Sequence, residues 1–418
     1  MNEKNPEEID YRRKLFQLFD KGKSVAQILK LIPRSRPWIY KWKQRFEQKR
    51  WQALDSCSKA PHWSAHKYAQ KTMNLVLRMR QRLKRCTVGL AGARSIRREL
   101  KRLRLLRKIP SLSTINRWLK QAGLIEAATP GEKKPYYPEP KLPEGFVLQS
   151  CDWTARWLAG GEKPYVIHTI DVQTHALCQT ISTDKSTDSI IAHILEAFTL
   201  LGLPDFLQID NDGAFTNLGH NKGVFRRFIR LMLYLGIELV FIPKGEPKRN
   251  YLVEGINHLW SQAFFDKDHF TSIAQLKRKS PKFFSWYQDY EPPLLGGLSI
   301  KAARRGVKCR RLKVSERRQI PNELPLTEGR VHFIRRVNEQ GEITILNERW
   351  KVSKRLVGEY VWATVILKER SLTIFYRKSE RAMAKLIKQY DYPVAEPVEK
   401  LLPQYRRRTR RVNVLKII

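Results

Sequence analysis

Between Ala127 and Pro143 the chain carries Pro130, Pro135, Pro138, Pro140 and Pro143 with little apolar periodicity. Proline fixes φ and donates no backbone hydrogen bond, so the stretch reads as a semi-rigid linker and a domain boundary. Helical spacings precede it, and strands alternating with helices follow it. With 418 residues there is room for two to four domains, each with its own core.

Charge then points to the partner. Lys and Arg number 80 against 40 Asp and Glu, a formal net charge of +40, which calls for a polyanion. Hydrophobic residues make up 42% and fall in segments, so the chain is not a disordered basic tail. No run of about eighteen apolar residues marks a membrane span. The start, Met1-Asn2-Glu3-Lys4-Asn5-Pro6-Glu7-Glu8, has no apolar signal core. The cysteines, Cys57, Cys86, Cys151, Cys178 and Cys309, are odd in number and not closely paired. They read as reduced thiols in a cytoplasmic, nucleoid-associated protein.

Residues 8–50 read as a helix-turn-helix module. Leu15, Phe16 and Phe19, then Val25, Ile28, Leu29 and Leu31, supply apolar stripes, with Ser24 as an N-cap. After a turn at Pro33-Arg34-Ser35, Pro37 opens a third helix in which Ile39, Trp42 and Phe46 face inward. Arg36, Tyr40, Lys41 and Lys43 are left for DNA contacts; a three-helix bundle with a solvated basic face is the plainer reading. A second such module spans 67–125. Its last helix, opened by Pro110-Ser111-Leu112-Ser113, turns Ile115, Trp118 and Leu119 inward and leaves Thr114, Asn116, Arg117 and Lys120 for contacts. Between the modules, Cys57, His62 and His66 could ligate zinc but lack a Cys-x-x-Cys partner.

After the linker at 126–145, residues 146–300 read as an α/β domain with a mixed sheet: three strands, then helices and strands in alternation. Residues 325–380 read as a small β-barrel of hairpins, and 381–418 as a basic tail with Arg406-Arg407-Arg408-Thr409-Arg410-Arg411.

Within the α/β segment, Asp152 and Asp210 lie at or just after strand ends, where functional side chains collect in α/β sheets. Glu254 lies on a helix whose Val253, Ile256 and Trp260 form an apolar face, with Asn250, Glu254 and His258 on another. Phosphodiester transfer is served by two hard cations roughly 4 Å apart, held by a few carboxylates and the substrate's own phosphate oxygens. Without metal, three such acids would repel one another, so the cluster makes sense when cations occupy it. Lys244, Lys248 and Arg249, just before the glutamate helix, and His258 on it are candidates to hold DNA near the metals. Asp171 and Asp212 compete as ligands, but each also reads as a turn cap. His168, His175 and His220 receive no role.

The segments Asp152-Trp153-Thr154, Gln208-Ile209-Asp210-Asn211-Asp212-Gly213-Ala214-Phe215 and Asn250-Tyr251-Leu252-Val253-Glu254 together resemble the DDE integrase-core family of bacterial insertion-sequence transposases and retroviral integrases. The resemblance runs from about Asp10 to Arg377. It implies a ribonuclease-H-like catalytic fold with two magnesium or manganese ions held by Asp152, Asp210 and Glu254. It also implies hydrolysis at transposon ends and transfer of the new 3′-hydroxyl into target DNA. The partners implied are double-stranded DNA and a second copy of the chain; a helper protein is unknown. Three departures stand out. Asp210-Asn211-Asp212-Gly213 has one residue more than the family's Asp-Asn-Gly, so Asp210 and Asp212 both compete as second ligand, Asp210 directly following the apolar strand. The step from 210 to 254 is longer than usual, implying an enlarged loop around Gly219 to Lys222. The stretch after the glutamate helix reads Gln288-Asp289-Tyr290-Glu291-Pro292-Pro293. The alternatives are a nuclease that cuts without joining and a DNA-binding regulator with silent chemistry.

Overall fold

The computed structural model describes residues 6–54, 68–125, 135–142, 144–216 and 221–406. Cys57, His62, His66, His220 and the arginines from Arg407 onward lie outside them, as does most of the loop expected around Gly219. The chain divides into two compact units, Met1–Gln70 and Lys71–Ile418.

Among its described residues the first unit holds α1 (Pro6–Asp20), α2 (Val25–Leu29) and α3 (Arg36–Lys49), followed by a 3₁₀ turn at Arg50–Leu54. Ser24 starts α2 with a capping box: its hydroxyl accepts from the Gln27 amide and the Gln27 side chain accepts from the Ser24 amide. Leu15, Phe16, Ile28, Ile39, Trp42 and Phe46 are buried together, as the spacing predicts. Arg12 lies over the Trp42 ring at 4.1 Å. Arg36, Tyr40 and Lys41 are exposed on α3, and Lys43 is half-buried and 3.8 Å from Glu47.

The second unit opens with α4 (Gln70–Lys84), α5 (Ala93–Arg102) and α6 (Leu112–Gln121). On α6, Ile115, Trp118 and Leu119 are buried, Asn116, Arg117 and Lys120 exposed, and Thr114 half-buried. The chain then forms β1 (Leu148–Ala155), β2 (Tyr165–Asp171), β3 (Leu177–Ser182), α7 (Thr187–Leu200), β4 (Phe206–Ile209), α8 (Gly213–Thr216), α9 (Arg227–Tyr234) and β5 (Glu238–Phe241). After a 3₁₀ turn at Pro247–Asn250 come α10 (Tyr251–Ala263), α11 (Ile273–Gln288), α12 (Ile300–Arg304) and α13 (Val314–Arg318). Six more strands end the described chain: β6 (Arg330–Arg336), β7 (Glu342–Ile345), β8 (Glu348–Lys351), β9 (Tyr360–Ile366), β10 (Ser371–Tyr376) and β11 (Lys385–Asp391).

Among the described residues, nine strands make one mixed sheet in the order β11-β10-β9-β6-β5-β4-β1-β2-β3. The pairs β1/β4, β4/β5 and β5/β6 are parallel and the rest antiparallel. One core, with Leu207, Leu239, Val331 and Val365, lies on one side of the sheet. On the other side lie the cluster of α10 and α11 around Trp260 and a smaller cluster of Phe206, Val240, Ile334 and Trp362.

Three expectations are corrected here. The small barrel of residues 325–380 is not a separate domain, because β6 pairs with β5 on one edge and β9 on the other. The C-terminal strands therefore extend the central sheet, and the β7–β8 hairpin folds against them, with Arg335 Nε donating to the Thr344 carbonyl at 2.9 Å and Tyr390 Oη to the Lys351 carbonyl at 2.6 Å. The expected tail from residue 381 contains β11, paired along β10. The division between units falls at Gln70 rather than in the proline-rich stretch. Part of that stretch is anchored: Tyr137 is buried, edge-on to Tyr360 at 5.4 Å and beneath the Arg249 guanidinium at 4.2 Å. The helical segment α4–α6 is tied to the sheet domain by Gly89 N–H to the Ala263 carbonyl (2.8 Å), Lys267 to the Cys86 carbonyl (3.1 Å) and Arg98 to the Asp289 carbonyl (2.8 Å). No helix among the described residues is long and apolar enough to cross a membrane.

Candidate active site

The register of two parallel strands sets the first two acids side by side. Leu148 pairs with Phe206 and Ser150 with Gln208. Continuing by two residues, which keeps the same face of a pleated sheet, brings Asp152 level with Asp210. Glu254 comes from the first turn of α10. Asn250, just before that helix, fastens it to both strands: its Oδ1 accepts from Ser150 Oγ and from Gln208 Nε2 (3.0 Å), and its Nδ2 donates to the Cys151 carbonyl at 3.2 Å. The apolar face of α10, Val253, Ile256 and Trp260, is buried against β1 and β2, and Glu254 is left half-buried. Asp152, Asp210 and Glu254 line one cavity of about 140 Å³, with Trp153, Ile242, Pro247 and Asn250.

Burial raises the Asp152 carboxyl to about 7, and the charges of Asp210 and Glu254 push it the same way, against hydrogen bonds from the Trp153 amide and Asn257. Burial likewise lifts Asp210 to about 6, with Asp212 and Glu254 adding to the rise and Lys185 opposing it. These are acids held at the cost of desolvation and mutual repulsion, and a cation between them would relieve both. The donors are all oxygen, which suits a hard divalent ion such as magnesium or manganese. Among the described residues no three His, Cys, Asp or Glu side chains stand close enough together to hold a metal ion in this arrangement.

Asp212 does not line the cavity. It caps α8, accepting from the Ala214 amide at 2.9 Å, and forms an ion pair with Lys185, whose ammonium lies 3.7 Å above the Trp153 ring. Asp171 is a turn cap, accepting from the amide and hydroxyl of Thr174 at 2.7 Å each. Lys244, Lys248 and His258 are exposed near the cavity. Arg249 is engaged within the fold: its Nε donates to Glu246 at 3.0 Å and its Nη2 to Tyr360 Oη at 3.0 Å, between two tyrosine rings. Asn250 faces the sheet and not, as the helical spacing suggests, the side of His258, because α10 begins only at Tyr251.

Two residues around the acids were missed in the sequence. Asn257 Nδ2 donates to Asp152 Oδ2 at 2.8 Å, and its Oδ1 meets His168 Nδ1 at 2.6 Å. His168 is fully buried, and burial holds its ring below the ordinary histidine range. Its Nδ1 faces Asn257 Oδ1 and its Nε2 lies 3.1 Å from Gln179 Oε1. Asn257 stands three residues after Glu254, on the same side of α10; that spacing was the available signal. His168 had none, since its contact with Asn257 spans 89 positions.

Residues 12–70 match the family described as winged helix-turn helix. Among solved structures, the chain is similar to the catalytic core domain of HTLV-2 integrase in complex with magnesium, in its trimeric form, at 16% identity and a TM-score of 0.29, over 37% of this chain and 93% of that one. It is also similar to a simian T-cell lymphotropic virus intasome in complex with PP2A regulatory subunit B56 gamma, at 13% identity and a TM-score of 0.33, over 69% of this chain and 93% of that one. Likenesses of this size do not establish a family.

Proposed function

We propose that the protein is a DNA transposase of the DDE type, which binds transposon ends and catalyses metal-dependent cleavage and strand transfer. The observation that carries this reading is the convergence of Asp152, Asp210 and Glu254 on one cavity of a strongly basic chain. Asp152 and Asp210 would hold the ions from the fixed strands. Glu254, half-buried at the helix rim, would complete the set by turning its side chain inward. The ions, when bound, activate the attacking oxygen and neutralise the leaving one. Asn257 orients Asp152, and Asn250 holds the start of α10 so that Glu254 stays over the strands. Exposed Lys244, Lys248 and His258 would take DNA phosphates beside the cavity. The winged helix-turn-helix unit, with Arg36, Tyr40, Lys41 and Lys43, and α6, with Thr114, Asn116, Arg117 and Lys120, would bind the element's ends. Two ends must be joined, so a homo-oligomer on DNA is required.

The test uses the element's end DNA, magnesium and a target plasmid. Asp152→Asn, Asp210→Asn and Glu254→Gln each abolish strand transfer while end binding persists. Cleavage without joined product would make the protein a nuclease, and wild-type binding without metal-dependent cleavage would make it a regulator.

A further inference from the structure

A second, larger cavity adjoins the acidic one. It is a groove of about 1030 Å³ between the central strands and the β6–β7 connection, lined by Asn211, Pro243, Lys244, Arg335, Arg336 and Thr344 among others. Asn211 follows Asp210 and Pro243 follows Ile242, so the two cavities share a wall.

The floor of the groove contains a buried cation. Arg335 is only 9% exposed, and among the described residues no carboxylate pairs with it. Its Nε donates to the Thr344 carbonyl, its Nη1 to the carbonyls of Ile242 (2.8 Å) and Ile334 (2.9 Å), and its Nη2 to Asn211 Oδ1 at 2.6 Å. A guanidinium has five N–H donors, so one Nη2–H is left uncommitted by these contacts. Burial drags its pKa down to about 9. At the rim, Lys244 and Arg336 are exposed. Two of the acids lining the groove are already occupied: Asp188 is paired with Arg227, and Glu246 accepts from Arg249 and from Tyr360 Oη at 2.6 Å. Glu342 alone then opposes three cations.

We propose that this groove seats a backbone phosphate of the nucleic-acid strand engaged at the acidic cavity, with Arg335 at its floor and Lys244 and Arg336 at its rim. The proposal rests on the DNA-binding part of the reading above and adds the path of the strand. A phosphodiester fits: it brings one negative charge to a charge that lacks one, and the shared wall lets a single strand pass from one cavity to the other.

The experiment introduces p-benzoylphenylalanine in place of Thr344, in the groove, or in place of Tyr40, on α3, in the full-length protein. Each is irradiated with a fluorescein-labelled DNA duplex of mixed sequence. The groove probe cross-links the duplex, and Lys244→Glu combined with Arg336→Glu lowers that yield about tenfold, the effect of losing charge-assisted contacts, while the Tyr40 probe keeps its yield. Both substitutions are on exposed side chains, so an unchanged melting temperature shows that the fold is intact. Cross-linking from Tyr40 without any from Thr344, or a groove yield indifferent to the charge reversal, overturns the proposal and leaves the transposase reading standing. No cross-linking from either position overturns both.

Discussion

Asn257 donates a 2.8 Å hydrogen bond to Asp152 Oδ2 while its own carbonyl oxygen is held 2.6 Å from His168 Nδ1. That carboxylate oxygen is thereby tied down at the wall of the cavity that Asp152 lines. An outer partner of this kind fixes the direction in which a metal ligand points.

Asn257→Ala is expected to weaken manganese binding about tenfold or more, measured by calorimetry, and to leave DNA affinity unchanged. His168→Ala acts on Asp152 only through Asn257 and is expected to have a smaller effect of the same sign. Equal metal affinity in wild type and Asn257→Ala would remove the positioning role.

The acids also link stability to pH. Asp152 and Asp210 have folded-state values of about 7 and about 6, above their unfolded value of about 3.9. Folded protein therefore holds more protons than unfolded protein between these limits, and the contribution of this pair to stability falls as pH rises from about 4 to 7. Asp210→Asn removes part of that loss. In chelator its melting temperature should exceed that of wild type at pH 7.5, with the two converging near pH 4.

Magnesium should reverse the same penalty. Added at pH 7.5 it is expected to raise the wild-type melting temperature and to release protons, and the rise should be absent in Asp152→Asn. A magnesium effect of equal size in that variant would place the ion elsewhere.

Asn250→Ala leaves Ser150, Gln208 and the Cys151 carbonyl without their shared partner. Each buried group stranded in this way costs about 1–3 kcal/mol. Chemical denaturation should show a loss of that order, and metal binding should weaken because the start of α10 is released.

Arg249→Ala should lower stability more than DNA affinity, since its guanidinium is spent on Glu246, Tyr360 and Tyr137. Lys248→Ala, on an exposed side chain, should do the reverse and reduce the salt dependence of binding by about one phosphate contact. Binding assays across a salt series distinguish the two.

The helices of the first unit, the alternation of strands and helices after the linker, and the position of Asp210 just after β4 could be read from local patterns; Asp152, expected at a strand end, lies inside β1, which runs on to Ala155 in its pairing with β2. Apolar periodicity reports which face of an element is covered, and that information is contained within ten or fifteen residues. It does not report which strand lies beside which. The run Val331-His332-Phe333-Ile334 reads locally as a barrel strand, yet in the structure all four residues are buried. Val331 and Phe333 face one core while Ile334 faces another, as in a strand covered on both sides. Only the pairing of β6 with β5, some ninety positions away, brings Arg335 next to Asn211. Only the crossing of α10 over β1 and β2 brings Asn257 and His168 behind Asp152. The acids were visible because each stands beside an apolar stretch that is a local feature; their supports and the basic groove were not, because contacts between distant segments arise from packing that no short spacing encodes.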